Sequence, residues 1–316
     1  MHHTDFLLFS LESGAGFVRQ VASILGTTPG RHEERDFEDG EHKIRPLEDV
    51  TNKDVFLVQS IYGEPSCSVN DKLVKSLFLL GALRDAGASR LNLIAPYLCY
   101  ARKDRRTKWQ DPISLRYVAQ LIEAIGIDSL VVMDVHNQAA FENAFRCRTI
   151  HLSAGDLFAD YLLPQLGDVP VTVASPDIGG IKRAEAFREL LEARLTRSVG
   201  GAFMEKHRSE GVVSGDRVTG EISGRHILVL DDLIAGGTTM RRAAQAFLAA
   251  GATAVHALAT HGVFGEGATK NLAGAEFTSV VYTNSIPLPP PGGLSNLIQL
   301  DAAPAVADVI RRLHDR

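Results

Sequence analysis

Cysteine is scarce in this chain: three in 316 residues, Cys67, Cys99 and Cys147. They are too few and too scattered for a disulfide framework, and the lack of any C-x-x-C pair speaks against a cysteine-held zinc site. A reduced, cytoplasmic setting is expected. Basic charge is not in excess. Lys and Arg number 33 against 38 Asp and Glu, a net charge of −5. That argues against a broad nucleic-acid-binding surface, although a local basic cleft stays open. Long apolar runs are missing too. The nearest, 243–260, contains Gln245 and His256 and is interrupted by Gly251-Ala252-Thr253. It reads as a helix followed by a buried strand, not as a membrane span. The first residues, MHHTDFLLFS, lack the basic segment of a signal peptide and read as a first strand. No Gly-Lys dipeptide occurs, so a Walker loop is excluded. Gly14-Ala15-Gly16 is followed by Arg19 where a dinucleotide fingerprint needs a third glycine.

What is present is an ordinary globular mix, 45% hydrophobic and 22% charged. Short runs rich in Val, Ile and Leu recur at 5–9, 55–59, 91–95, 130–134, 171–175, 227–231, 254–260 and 279–283. They do not alternate, as expected of strands covered on both faces. Helical patterns separate several of them, at 70–86, 113–125, 180–195 and 239–250. The alternation predicts an α/β fold with parallel sheets. Residues 83–97, LRDAGASRLNLIAPY, echo 247–261, FLAAGATAVHALATH. Two similar halves meeting near residue 150 would explain the echo, and so would chance, since Gly commonly ends helices. The stretch 205–224 holds four glycines and many charges. It is expected to be a functional loop, or else a plain surface connection.

Four segments carry chemistry. In ILVLDDLIAGGTTM, 227–240, a strand ends in Asp231-Asp232, and the turn Ala235-Gly236-Gly237-Thr238-Thr239 opens a helix. Such a turn lets backbone N–H groups converge on a phosphate, and adjacent carboxylates can accept bonds from two sugar hydroxyls. A merely capped helix start with solvated carboxylates is the bland alternative. In APYLCYARKDRR, 95–106, four basic residues follow a buried strand, a density suited to a polyphosphate or to a self-paired charge cluster. His136, in VVMDVHN, and Asp177, in VASPDIGG, each follow a strand end. Singly, both are weak signals.

Taken in order, these segments resemble the ribose-phosphate pyrophosphokinase family. FEDGE at 37–41, VNDKL at 69–73, ATHGVF at 259–264 and NSIPL at 284–288 extend the likeness over nearly the whole chain. The resemblance implies two similar phosphoribosyltransferase-like domains, 1–150 and 151–301, each a mainly parallel sheet flanked by helices. It implies that the helix 302–316 packs back on the first. It implies transfer of the pyrophosphoryl group of ATP to the anomeric hydroxyl of ribose 5-phosphate, with Mg2+. By the same matching, Phe37, Asp39, Gly40, Glu41, Arg102 and Lys103 would hold ATP, and His136 and Asp177 would attend the magnesium. Asp231 and Asp232 would hold the ribose hydroxyls, and Ala235, Gly236, Gly237, Thr238 and Thr239 the 5-phosphate. Lys206 and Arg208 would be the catalytic cations of a mobile loop, 205–224. Homo-oligomers, dimers built into hexamers, follow from the family, and neither nucleic acid nor membrane is expected as a partner.

The chain departs from the family's common pattern at His207, Lys103, Ala235 and Thr238, where arginine, glutamine, aspartate and glycine are usual. The departures leave the nucleotide preference and regulation by phosphate and ADP open. Three rivals stand beside the main reading: a non-catalytic paralogue that assembles with an active enzyme, a transferase that consumes phosphoribosyl pyrophosphate, and a plain nucleotide-binding module. Retention of Lys206, Arg208, Asp231, Asp232, His136 and Asp177 argues against the first, and the basic segment 102–106, FEDGE and the length argue against the second.

Overall fold

The structure is a computed structural model that describes residues 6–209 and 212–315. The chain divides into two compact units. The first takes in the chain through Leu152, with Ser285–Pro287 and the segment from Ala302 onward. The second spans Ser153–Asn284 and Leu288–Asp301.

Unit one contains β1 (Phe6–Phe9), α1 (Ala15–Leu25), β2 (His32–Asp36), β3 (His42–Pro46), β4 (Asp54–Val58) and α2 (Val69–Asp85). It continues with β5 (Arg90–Ala95), α3 (Ser114–Ala124), β6 (Ser129–Met133), α4 (Gln138–Ala144) and β7 (Arg148–Leu152). Its main sheet runs β1-β4-β5-β6-β7, parallel throughout. β4 and β6 are buried at every residue, which is why their sequences are apolar without alternation. β2 and β3 form a separate antiparallel hairpin. The helix α2 begins with a capping box: Ser68 Oγ accepts from the Asp71 N–H, and Asp71 Oδ2 accepts from the Ser68 N–H, at 3.2 and 2.9 Å. The Asp of VNDKL thus has a local structural task.

Unit two contains α5 (Gly155–Leu166), β8 (Val171–Ser175), α6 (Ile181–Leu195), β9 (Gly200–Ser209), β10 (Val212–Gly220) and β11 (His226–Ile234). Then come α7 (Thr238–Ala249), β12 (Ala254–Gly262), α8 (Ala268–Leu272), β13 (Ser279–Thr283) and β14 (Leu297–Leu300). The sheet order is β10-β9-β8-β11-β12-β13-β14, with only the β9–β10 pair antiparallel. The last helix, α9 (Ala303–His314), belongs to unit one, where it packs on α1 and Arg311 Nη2 donates to the Ile24 carbonyl at 2.6 Å.

The two units share one plan. Each runs strand, helix, antiparallel hairpin, then parallel strands added on one side: β1-β4-β5-β6-β7 in the first, β8-β11-β12-β13-β14 in the second. The sequence echo falls on equivalent places, the passages from α2 into β5 and from α7 into β12.

All eight apolar runs fall on strands, and the four helical patterns fall on α2, α3, α6 and α7. The 243–260 stretch is the end of α7 followed by β12, and no helix among the described residues is long and apolar enough to cross a membrane. One expectation changes. The glycine-rich stretch expected as a loop is a hairpin, with β9 and β10 in register from Ala202–Gly220 to Ser209–Val212 and an irregularity between Val213 and Asp216. Its polar content suits a strand pair at the edge of a sheet, where little is buried.

Candidate active site

In unit two, β11 does not stop at the carboxylates but runs through Asp231 and Asp232 to Ile234. Its partner β8 leaves it after Val229, so the two aspartates lie beyond that neighbour's reach. The Asp231 carboxylate folds back and accepts the Asp232 N–H at 2.9 Å. Arg183, from α6, places one guanidinium nitrogen 3.4 Å from a carboxylate oxygen of each aspartate. Burial, and then the neighbouring charge of Asp232, push the Asp231 carboxyl up to about 8, and Arg183 opposes them. The paired carboxylates therefore have their own countercharge in Arg183. Local spacing carries no sign of Arg183, which sits 48 residues before Asp231 and meets it only through the packing of α6 on the sheet.

The turn 235–239 delivers the chain from β11 into α7. Gly237 takes a left-handed φ of 74°, which favours glycine, and a Cβ there would press on Asn271 and Leu272 at 3.2 Å. Helix α7 has no side-chain cap and no acidic residue in its first turn. Its N–H groups and dipole favour an anion. Asn271, also unforeseen, holds the turn from α8: its Nδ2 lies 2.6 Å from the Gly236 carbonyl and 3.1 Å from Thr238 Oγ1.

Asp177 caps a 3-10 turn at Ile178–Gly180, its Oδ1 accepting from the N–H groups of Gly179 and Gly180 at 2.9 and 3.2 Å. Lys206 and Arg208 lie on β9, opposite Asp216 and Val213 in register, and their side chains lie outside what is described.

In unit one, the tip of the β2–β3 hairpin carries Phe37, Asp39, Gly40 and Glu41. The Phe37 N–H bonds to the Glu41 carbonyl at 2.7 Å, Gly40 turns with φ 89°, and the Glu41 N–H reaches Asp39 Oδ1 at 3.0 Å. Phe37 is an exposed aromatic ring with the Arg35 guanidinium 5.2 Å from its centroid. Lys75 of α2 anchors the hairpin, 2.7 Å from Asp36 and 3.7 Å from Glu34.

The basic segment follows β5. Arg102 is exposed. Lys103 is not simply solvated: Asp111 lies 2.6 Å from its ammonium. Asp111 also accepts from the Thr107 and Lys108 N–H groups, each at 3.0 Å, and from the Thr107 hydroxyl at 2.7 Å. These bonds hold its carboxyl well below the usual carboxylate range, the Lys103 contact first among them. Asn137, next to His136, donates to Asp104 at 2.7 Å and so ties the basic segment to the end of β6. The backbone turns there at Asp134, with φ 36°, and His136 emerges exposed.

The structure thus groups Asp231, Asp232 and the turn 235–239 in unit two, and Arg102, Lys103 and the neighbourhood of His136 in unit one. The hairpin tip 37–41 is a further separate feature of unit one.

Comparison with known proteins fits this geometry. The family model described as the N-terminal domain of ribose phosphate pyrophosphokinase matches residues 6–126. A second, the phosphoribosyl synthetase-associated domain, matches 206–316. A ribose-phosphate pyrophosphokinase of Gloeobacter violaceus is 36% identical, over 98% of this chain and 90% of its own. One from Clostridium perfringens is 34% identical, over 99% and 96%. The crystal structure of phosphoribosylpyrophosphate synthetase from Mycobacterium smegmatis superposes with a TM-score of 0.90 at 31% identity, covering 98% of this chain and 99% of that one. With relatives this similar along its whole length, the chain belongs to the ribose-phosphate pyrophosphokinase family.

Proposed function

We propose that the chain is a ribose-phosphate diphosphokinase, converting ATP and ribose 5-phosphate to phosphoribosyl pyrophosphate and AMP. The observation that carries this reading is the sequence of parts in unit two: two adjacent carboxylates on β11, then a glycine turn, then the uncapped start of α7. In that order they offer acceptors for a sugar's hydroxyls and donors for its phosphate. The anomeric oxygen bonds to the β-phosphorus of ATP as its O–H bond breaks and the proton passes to solvent. The bond from that phosphorus to the oxygen bridging the α-phosphate breaks, and its electron pair leaves with AMP.

In this reading Asp231 and Asp232 orient the ribose, and residues 235–239 fix its phosphate. Phe37 offers a ring face for the adenine, with Asp39, Gly40 and Glu41 beside it, and Arg102 and Lys103 meet the phosphates. Lys206 and Arg208 stabilise the charge that gathers on the leaving oxygen. Positioning and charge neutralisation do most of the work in such a transfer.

Magnesium belongs to the same reading. Among the described residues no group of three or more His, Cys, Asp or Glu could hold a metal. That donor set fits an ion carried mainly by phosphate oxygens and water, as magnesium usually is at nucleotides. Asp177 offers hard carboxylate oxygen, and the softer imidazole of His136 suits an outer contact through water. When bound, the ion neutralises phosphate charge and acts as a Lewis acid.

Two phosphoribosyltransferase-like domains, 1–150 and 151–301, with 302–316 returning to the first, complete the proposal, as do homo-oligomers of the dimer-to-hexamer kind and a cytoplasmic setting. The two compact units support the domain reading. The decisive experiment incubates the protein with ATP, magnesium and ribose 5-phosphate. AMP and phosphoribosyl pyrophosphate should appear one for one, and AMP should not form without the sugar. No AMP from the complete mixture would overturn the assignment.

A further inference from the structure

Asn271 lies on α8, a short helix anchored by the buried Ala268 and Leu272. Its side-chain amide approaches two atoms of the turn, the Gly236 carbonyl oxygen at 2.6 Å and the Thr238 hydroxyl at 3.1 Å. A carbonyl oxygen can only accept, so the amide atom facing it must be the NH2 nitrogen. That nitrogen has two hydrogens, and the two contacts use them both.

Two consequences follow for the turn. The Gly236 carbonyl is the negative end of a peptide dipole in a loop otherwise arranged to receive an anion. Bonded to Asn271, it is held where its charge is answered. The Thr238 hydroxyl has one hydrogen and two lone pairs. With Asn271 donating to a lone pair, the hydroxyl hydrogen is left for a further acceptor. Thr238 is the first residue of α7 and is exposed, so that hydrogen is presented on the same side as the uncapped N–H groups of the helix start. Gly237 accommodates this contact, because a Cβ there would crowd Asn271 and Leu272 at 3.2 Å.

We infer that Asn271 is a positioning residue for the phosphate turn: it fixes the Gly236 carbonyl and sets the Thr238 hydroxyl to donate to the phosphate of the sugar substrate. The inference rests on the reading of 235–239 as the 5-phosphate site. Asn271 touches no substrate itself in this account and acts through Thr238.

The test is steady-state kinetics on Asn271→Ala, Asn271→Asp, Thr238→Val and the Asn271→Ala/Thr238→Val double variant. Asn271→Ala should raise KM for ribose 5-phosphate about tenfold, the size of one lost hydrogen bond. KM for ATP should stay within about twofold, inside ordinary hydrogen-bond scatter. Thr238→Val should raise the sugar-phosphate KM by a similar factor, and the double variant should be no worse than Thr238→Val. Asn271→Asp, which keeps the size but can only accept, should be worse than Asn271→Ala. It also decides the matter if the alanine variant melts below the assay temperature.

Additive effects in the double variant would overturn the inference, as would equal rises in both KM values. A raised KM in Thr238→Val beside a normal one in Asn271→Ala removes the role of Asn271 alone. A normal KM in Thr238→Val removes the phosphate reading of the turn, and the inference with it.

Discussion

The ammonium of Lys103 lies 2.6 Å from the carboxylate of Asp111, so a residue assigned to ATP is held by its own loop. Asp111 also gathers two backbone N–H groups and the Thr107 hydroxyl. It therefore acts as the knot of the basic segment. Asp111→Asn should loosen this segment and raise KM for ATP several-fold. KM for ribose 5-phosphate should not move. Trp109, the chain's single tryptophan and 91% exposed in this segment, gives a direct reading. ATP should raise its fluorescence anisotropy in the parent protein and less so in the variant. A rise in the sugar-phosphate KM alone would remove Asp111 from this role.

Asp231 predicts a pH dependence. Its carboxyl is pushed up to about 8 by burial and by Asp232. An ionised carboxylate is the better acceptor for a sugar hydroxyl. Ribose 5-phosphate should therefore bind more tightly as pH rises from 7 through about 8, and binding near neutrality should release a proton. Calorimetry in two buffers of different ionisation heat measures that proton. Asp231→Asn should bind weakly and abolish the release. A parent protein with no proton release at pH 7 contradicts the assignment.

Lys72 carries a stability prediction. Its side chain is fully buried on α2, with Glu64 2.8 Å away and the Tyr62 ring centroid 3.2 Å from its ammonium. Burial draws its pKa below the usual lysine range, and Glu64 works against that. Lys72→Ala leaves the carboxylate without its cation and should cost about 3–5 kcal/mol. Lys72→Ala/Glu64→Gln should recover part of the loss. Chemical denaturation of the two variants checks this, and equal stability of both would show that the charge pair is not the cause.

Lys206 decides the fate of the β9–β10 hairpin. If its cation stabilises the leaving oxygen, Lys206→Ala should lower turnover about 10²–10³-fold, as loss of one preorganised donor does. Both Michaelis constants should change far less, and the melting temperature should stay put. Turnover within about threefold of the parent, under 1 kcal/mol, would make the hairpin a spacer.

How much of this was readable in advance follows from where each residue's partners lie. β4, β6 and β8 are buried along their whole length, so their apolar runs announced them. β2 and β3, HEERD and HKIRP, pair only with each other and bury Ile44 alone, and their charges hid them. The β9–β10 hairpin has the composition of a loop, since its outer part is charged and rich in glycine although β9 pairs with β8. Asp231-Asp232 and the glycine turn are neighbours in sequence and stood out together. Arg183 and Asn271 reach the same places from 48 and 35 residues away, and local spacing does not register a contact made by tertiary packing.

The shared plan of the two units has a consequence for how this chain diversified. In both, a polar two-stranded arm is spliced in at one equivalent point, after the first helix and before the second strand of the sheet. Unit one's arm carries the FEDGE tip, and unit two's carries Lys206 and Arg208. β2 and β3 lie outside the ladder β1-β4-β5-β6-β7, and β9 joins only the outer edge of β8, so either arm can change in sequence while the strands beneath it stay as they are. One tolerant insertion point in each unit thus leaves two appendages open to different chemical tasks.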